Sequence, residues 1–96
     1  ASKGGLRMLT KSLAKDWGKY GIRINNLAPG YFVTDMNKKT YSNKNKRKSR
    51  AEKTMLKRWG QLPDLLGPCI FLASDASDYV TGTDLFVDGG WVSNGL

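Results

Sequence analysis

The sequence has no histidine, a single cysteine and three prolines, and its eight acidic residues are half the number of its basic ones. The lack of histidine excludes a histidine-based triad or a histidine-ligated metal within these residues. Cys69 alone cannot close an internal disulfide, and one thiol makes no metal site, so no metal is expected. A lone thiol fits a reducing, cytoplasmic setting. No apolar run approaches the ~20 residues of a membrane span, so no membrane partner is expected. At 96 residues the chain has length for one small domain and not for two.

What is present is an alternation of helical and extended patterns. Over residues 2–20, Leu6, Leu9, Leu13, Trp17 and Tyr20 recur every three or four positions and form one apolar stripe of a helix. Arg7, Lys11 and Lys15 form a cationic stripe on another face. Gly21 stands where a left-handed residue ends such a helix. Residues 22–28, IRINNLA, read as a buried strand closed by Pro29-Gly30. Residues 63–74, PDLLGPCIFLAS, read as a second helix, apolar nearly all round and therefore buried, with Cys69 as a small buried hydrophobe. Pro68 inside that pattern implies either a later start or a kink near Gly67. Residues 84–88, DLFVD, read as a last short strand before Gly89-Gly90.

Between these elements, residues 38–58 hold ten of the sixteen basic residues. The half KKTYSNKNK is polar and expected to be mobile. The half from Ser49 to Trp59 is expected to form a short helix carrying Met55, Leu56 and Trp59. Two strands make no independent sheet, and buried strands imply a parallel sheet with more members. The fold class expected is therefore α/β, a portion of a doubly wound parallel sheet and incomplete as a domain.

Two blocks, ASKGGLRMLTKSLAKDWGKYGIRINNLAPGYFVTDM and DLLGPCIFLASDASDYVTGTDLFVDGGW, resemble the C-terminal half of a classical short-chain dehydrogenase/reductase, a Rossmann-like fold. That family places a Tyr four residues before a Lys. Lys3 matches the Lys, and the Tyr falls two positions ahead of Ala1, with the Gly-rich loop, catalytic Ser and helix Asn further upstream. The resemblance thus implies a C-terminal piece of a longer enzyme, inactive alone, whose chain was cut just after the proton-transferring residue. Spacing of four on a helix stacks two side chains on one face. An ammonium beside a phenol favours phenolate, which suits proton exchange with a substrate hydroxyl while hydride moves to or from a nicotinamide.

The resemblance further implies that Lys3 binds the nicotinamide ribose and that Pro29, Gly30, Phe32 and Thr34, matching Pro-Gly-x-x-x-Thr, hold the nicotinamide of NAD or NADP. Ligands of open α/β sheets lie beyond the carboxyl ends of the strands, where this loop falls. Residues 31–60 align with the substrate lid, on which Met36, Tyr41, Met55 and Trp59 are the apolar residues placed to close over a small-molecule substrate. A cationic lid attracts anions, so the substrate is expected to be anionic. The 63–74 helix and 84–88 strand are implied to join copies into a homotetramer or homodimer. Arg-Trp-Gly at 58–60, Asp64-Leu65-Leu66-Gly67-Pro68 and VDGGW are most similar to the sugar-acid subgroup, which includes gluconate 5-dehydrogenase and 2-dehydro-3-deoxy-gluconate 5-dehydrogenase. Acyl-carrier-protein reductases share much of the pattern. Of another class is a non-catalytic basic module for binding or oligomerisation, supported by the Lys-rich segment alone; no nucleic-acid partner is expected.

Overall fold

The computed structural model describes residues 3–94, and of Lys3 the backbone alone. The α/β class holds. Helix α1 spans Lys3–Trp17, strand β1 Asn26–Pro29, helices α2 and α3 Lys38–Ser42 and Lys44–Glu52, helix α4 Leu62–Ala73 and strand β2 Asp84–Val87. The strands pair side by side in one two-stranded sheet. The Asn26 N–H donates to the Thr83 carbonyl at 2.9 Å and the Gly30 N–H to the Val87 carbonyl at 3.0 Å. Both strands advance together between those two bonds, which is the parallel register. No described helix is long and apolar enough to cross a membrane.

The chain divides into two compact units. The first runs to Leu27 and resumes over Pro68–Leu85; the second takes Ala28–Gly67 and the chain from Phe86 on.

In the first unit α1 ends in a 3-10 turn, Gly18–Tyr20, and Gly21 follows with φ 76°, the left-handed conformation its position predicts. Among the described side chains of α1 the buried ones are Thr10 and Ala14, whereas Leu6, Leu9, Trp17 and Tyr20 of the apolar stripe are exposed. Polar links hold α1 to the strand starts. Thr10 Oγ1 donates to Asn26 Oδ1 at 2.8 Å, and Asn26 Nδ2 to Asp84 Oδ1 at 2.8 Å. Arg7 of the cationic stripe pairs with Asp84 at 3.6 Å.

Strand β1 starts four residues later than the pattern IRINNLA suggests. The preceding residues spend their hydrogen bonds on the loop before β2. The Ile24 N–H donates to Thr81 Oγ1 and its carbonyl accepts from Gly82, while the Asn25 side chain bonds Val80 and Thr83. Arg23 donates to the carbonyl and hydroxyl of Ser77, each at 2.6 Å, and Ser77 is fully buried. Arg23→Ala removes the guanidinium donors around which this buried turn closes. It is expected to destabilise by about 2 kcal/mol, read as a lowered denaturant midpoint at unchanged slope.

Helix α4 corrects two expectations. It begins at Leu62 and continues through Pro68, so a later start does not occur. The proline leaves the Asp64 carbonyl without its helical donor. Nor is the helix buried: Ile70 is 64% exposed, Leu62 and Leu66 are exposed, and Cys69 is an exposed thiol rather than a core residue.

In the second unit the half KKTYSNKNK, expected to be mobile, is instead helical over Lys38–Ser42 and from Lys44 into α3. Lys and Arg are good helix formers and no Gly or Pro interrupts residues 38–58. Asn43 divides α2 from α3 and caps the latter, its Oδ1 accepting the Lys46 N–H at 3.0 Å. The short helix expected over 49–59 is displaced toward the N-terminus. Helix α3 stops at Glu52, the buried Thr54 hydroxyl accepts the Arg58 N–H at 3.2 Å, and Lys57 sits at φ 60°. That left-handed residue rules out a helix running on to Trp59.

Candidate functional site

The second unit holds a cavity of about 440 Å³, built at the carboxyl ends of the strands from three stretches: Tyr31 and Phe32 after β1, Met55 to Asp64 after α3, and Phe86 to Gly90 along and after β2. Phe32 is buried, and its position forms a parallel bridge with Gly60. The Val33 N–H donates to the Gly60 carbonyl at 3.0 Å and the Gly60 N–H to the Tyr31 carbonyl at 2.8 Å. The Phe32 ring lies where a Cβ on residue 60 would be, 2.5 Å from it, so glycine at 60 lets the ring wall the cavity.

Asp88 shapes the opposite wall. Its Oδ1 accepts the Gly90 N–H at 2.9 Å and its Oδ2 the Val92 N–H at 3.1 Å, folding the chain into a turn with Gly89 and Gly90 at positive φ. The Leu56 N–H donates to the Gly89 carbonyl at 3.0 Å, which ties the turn to the segment after α3.

Arg58 and Asp64 form a bidentate pair at 2.9 and 3.2 Å on the cavity wall. The Gln61 N–H also donates to Asp64 Oδ2 at 2.8 Å, and the Asp64 N–H to the Gln61 carbonyl, so Asp64 caps the first turn of α4. The Arg58 hydrogen bond, followed by that of Gln61, lowers the Asp64 carboxyl below its ordinary value; the same pairing raises Arg58. A depressed carboxylate contributes stability that is present above its unfolded pKa and is lost as pH falls through the folded one. The cap is therefore expected to hold at neutral pH and loosen only below about pH 4. An NMR titration of the Asp64 side-chain carboxyl should give a midpoint below the ordinary ~3.9 that rises in Arg58→Met. An ordinary midpoint in the unsubstituted protein would show that the pair does not form in solution.

An aromatic cluster joins Trp59 to the basic helices and to the loop after β1. Trp59 is 5% exposed, 5.5 Å from Tyr31 and 5.3 Å from Tyr41 between ring centroids, and its Nε1 donates to the Arg47 carbonyl at 3.0 Å. Tyr31 also meets Trp91 edge-on at 6.0 Å. Arg47 lies over the Tyr41 ring at 5.2 Å and Arg50 over the Tyr31 ring at 5.8 Å.

Of the residues singled out in sequence, Phe32 and Met55 line the cavity. Thr34 is exposed beside it in sequence, its Oγ1 accepting the Asn37 N–H at 3.3 Å as the cap of a 3-10 turn. Gly30 is set by packing: a Cβ there would stand 2.6 Å from Asp88 Cβ and 2.8 Å from Asp88 Cα. Pro29 ends β1, exposed. Met36 is 96% exposed, Trp59 is buried and the half-buried Tyr41 packs on it, and none of the three lines the cavity. The Lys3 side chain lies outside the described residues. Tyr31, Arg58, Asp64 and Asp88 were not singled out as site residues. The Asp-Gly-Gly turn and the Gln-x-x-Asp spacing were the signals available for Asp88 and Asp64. Among the described residues no group of three or more His, Cys, Asp or Glu gathers as a metal site.

Comparison with known proteins yields a consistent set. A family model described as enoyl-(acyl carrier protein) reductase matches residues 1–92. Gluconate 5-dehydrogenase of Gluconobacter oxydans is 44% identical over 90 residues, covering 94% of this chain and 35% of that protein. The structure of a gluconate 5-dehydrogenase from Burkholderia cenocepacia in complex with NADP and tartrate superposes with a TM-score of 0.88 at 49% identity, over 95% of this chain and 36% of that one. A short-chain type dehydrogenase/reductase from Mycobacterium ulcerans superposes with a TM-score of 0.89 at 31% identity, over 95% and 33%. The chain thus spans about a third of the length of the relatives it matches.

Proposed function

The chain belongs to the short-chain dehydrogenase/reductase family, and from that membership we propose that it forms the lid-bearing part of an NAD(P)-dependent dehydrogenase that interconverts a secondary alcohol and a ketone on a sugar acid. The observation that carries the reading is the 49% identity to a gluconate 5-dehydrogenase, with a TM-score of 0.88, over nearly the whole chain. The cavity beyond β1 and β2 supports it, because that end of a parallel sheet is where substrate and dinucleotide meet.

The residues present fit a nicotinamide. The Thr34 hydroxyl accepts from Asn37, lies at an exposed position and keeps its proton to donate to a carboxamide or diphosphate oxygen. When bound, the dinucleotide supplies the hydride donor or acceptor. Pro29, Gly30 and Phe32 set the course of the loop that presents Thr34. Lys3 carries the ammonium that keeps the family's tyrosine, four residues before it, ready to exchange a proton with the substrate hydroxyl. Met55 and Leu56 supply the apolar wall that excludes water from the reacting carbon. A cytoplasmic setting and a homodimer or homotetramer, joined through α4 and β2, complete the proposal. The exposed apolar side chains of α4 support an interface there.

The test is a spectrophotometric screen of the full gene product with NADH and NADPH against ketogluconates, neutral keto-sugars and acetoacetyl thioesters. Preferential reduction of a ketogluconate is the expected result. Turnover confined to the thioester would replace this reading with an acyl-carrier-protein reductase.

A further inference from the structure

Residues 38–58 contain ten basic residues and one carboxylate, Glu52; the rest of the chain has six basic and seven acidic residues. The net positive charge of the protein is therefore a property of the lid. Within it the two kinds of cation are used differently. Each arginine is engaged: Arg47 and Arg50 on tyrosine rings, Arg58 on Asp64. Every lysine is exposed. Lys57 donates to the Glu52 carbonyl at 2.9 Å, and the other six make no side-chain hydrogen bond or ion pair among the described residues.

The cavity itself offers no uncommitted cation among those residues. Arg58 is spent on Asp64, and the remaining carboxyl group on the wall, that of Asp88, is folded onto backbone N–H groups. An anion is thus attracted toward this site by charges that do not line it. Exposed charges act through solvent over roughly a Debye length, about 8 Å at physiological salt, and such fields raise encounter rates rather than hold a bound ligand.

From this division we infer that the lid lysines are a capture field for a carboxylate-bearing substrate: they accelerate its arrival and make no contact with it once bound. The inference rests on the sugar-acid reading above. It differs from an anion-binding pocket, which would raise affinity of the bound state and persist at high salt.

The experiment is a salt titration of the full gene product at saturating dinucleotide, with a ketogluconate and a neutral keto-sugar compared side by side. For the ketogluconate, kcat/KM is expected to fall roughly five- to tenfold between about 20 mM and about 300 mM salt, with kcat steady. The neutral substrate is expected to show a flat profile. The combined variant K44Q/K46Q/K48Q/K53Q should start at the high-salt value and lose the slope; wild-type titration alone tests the inference should that variant fold poorly. Equal salt slopes for both substrates, or a flat ketogluconate profile, overturn the capture field while leaving sugar-acid turnover intact. Absence of ketogluconate turnover overturns the functional reading and the capture field together.

Discussion

Replacing Lys3 with methionine in the full gene product is expected to lower kcat by about a hundredfold or more, at pH values where the native enzyme is fully active. Methionine keeps the length and apolar stem of lysine and removes the charge. On a helix the side chain four positions earlier lies on the same face, so under the proposed function the variant takes a positive charge from beside the tyrosine that the family pattern sets there. Without it the phenol holds its proton more tightly, because the phenolate loses a favourable neighbour. Each unit of upward shift corresponds to 1.36 kcal/mol of lost stabilisation. General acid–base groups contribute roughly 10² to 10⁴ to rate, which bounds the loss. The diagnostic readout is the pH profile. Its limb reporting deprotonation of the phenol should move toward alkaline pH, with activity partly regained there. A variant with lowered Tm and an unmoved profile would make Lys3 a structural residue of the first helical turn. Unchanged kcat would remove it from the chemistry altogether.

The sequence could be read most reliably where one local rule decides the outcome. Gly21 reads as a helix stop because only a left-handed residue fits after that helix, and its φ of 76° agrees. The two strands read as buried and therefore parallel; the bonds from Asn26 and Gly30 run in the parallel register, while the strands themselves are half-buried to exposed. Where the outcome depends on partners distant in sequence, the pattern misleads. Ile22 to Asn25 look like strand, yet the Ile22 N–H turns back to the Trp17 carbonyl, and Arg23, Ile24 and Asn25 bond a loop more than fifty residues on. The half KKTYSNKNK looks mobile by composition, yet it is helical over Lys38–Ser42 and from Lys44 on, and Arg47 just beyond it lies over the Tyr41 ring, a contact that no periodicity announces. The apolar positions of α1 and α4 mark coherent faces, but a period of 3.6 does not say what covers them: Leu6, Leu9, Leu66 and Ile70 are exposed, and Thr10 and Ala14 are the buried ones among the described side chains of α1.

The site shows the same split. Phe32 and Met55, named from the family's loop and lid, are among the residues that line the cavity. Arg58 and Asp64 sit in quoted motifs, but their bidentate pairing needs the turn at Lys57 to bring residues six apart together. Trp59 was legible as an important aromatic and misplaced as a closing one, because burial by Tyr31 and Tyr41 is a tertiary fact.

Gly30→Ala separates two explanations of the same glycine. Sequence pattern gives Gly30 the task of letting the backbone approach a dinucleotide; packing gives it Asp88. A Cβ at position 30 would lie 2.6 Å from Asp88 Cβ and 2.8 Å from Asp88 Cα. A backbone atom cannot rotate away, so the strand ends must move apart, straining the Gly30 to Val87 hydrogen bond that closes the ladder. Overpacking of this kind costs about 2 to 3 kcal/mol, or roughly 4 to 12 °C in Tm for a protein of 150–250 residues. The substitution is therefore expected to appear first as lost stability, with kcat and the dinucleotide KM of the surviving folded fraction changed little. Asp88→Gly removes the Cβ and leaves the Cα. In the combined variant it should recover part of the Gly30→Ala loss, a coupling measurable by a double-mutant cycle. Should Gly30→Ala instead leave Tm unchanged and raise the dinucleotide KM, close approach to the cofactor would be the constraint on this position. The contact with Asp88 would then be one the folded protein relaxes at no cost.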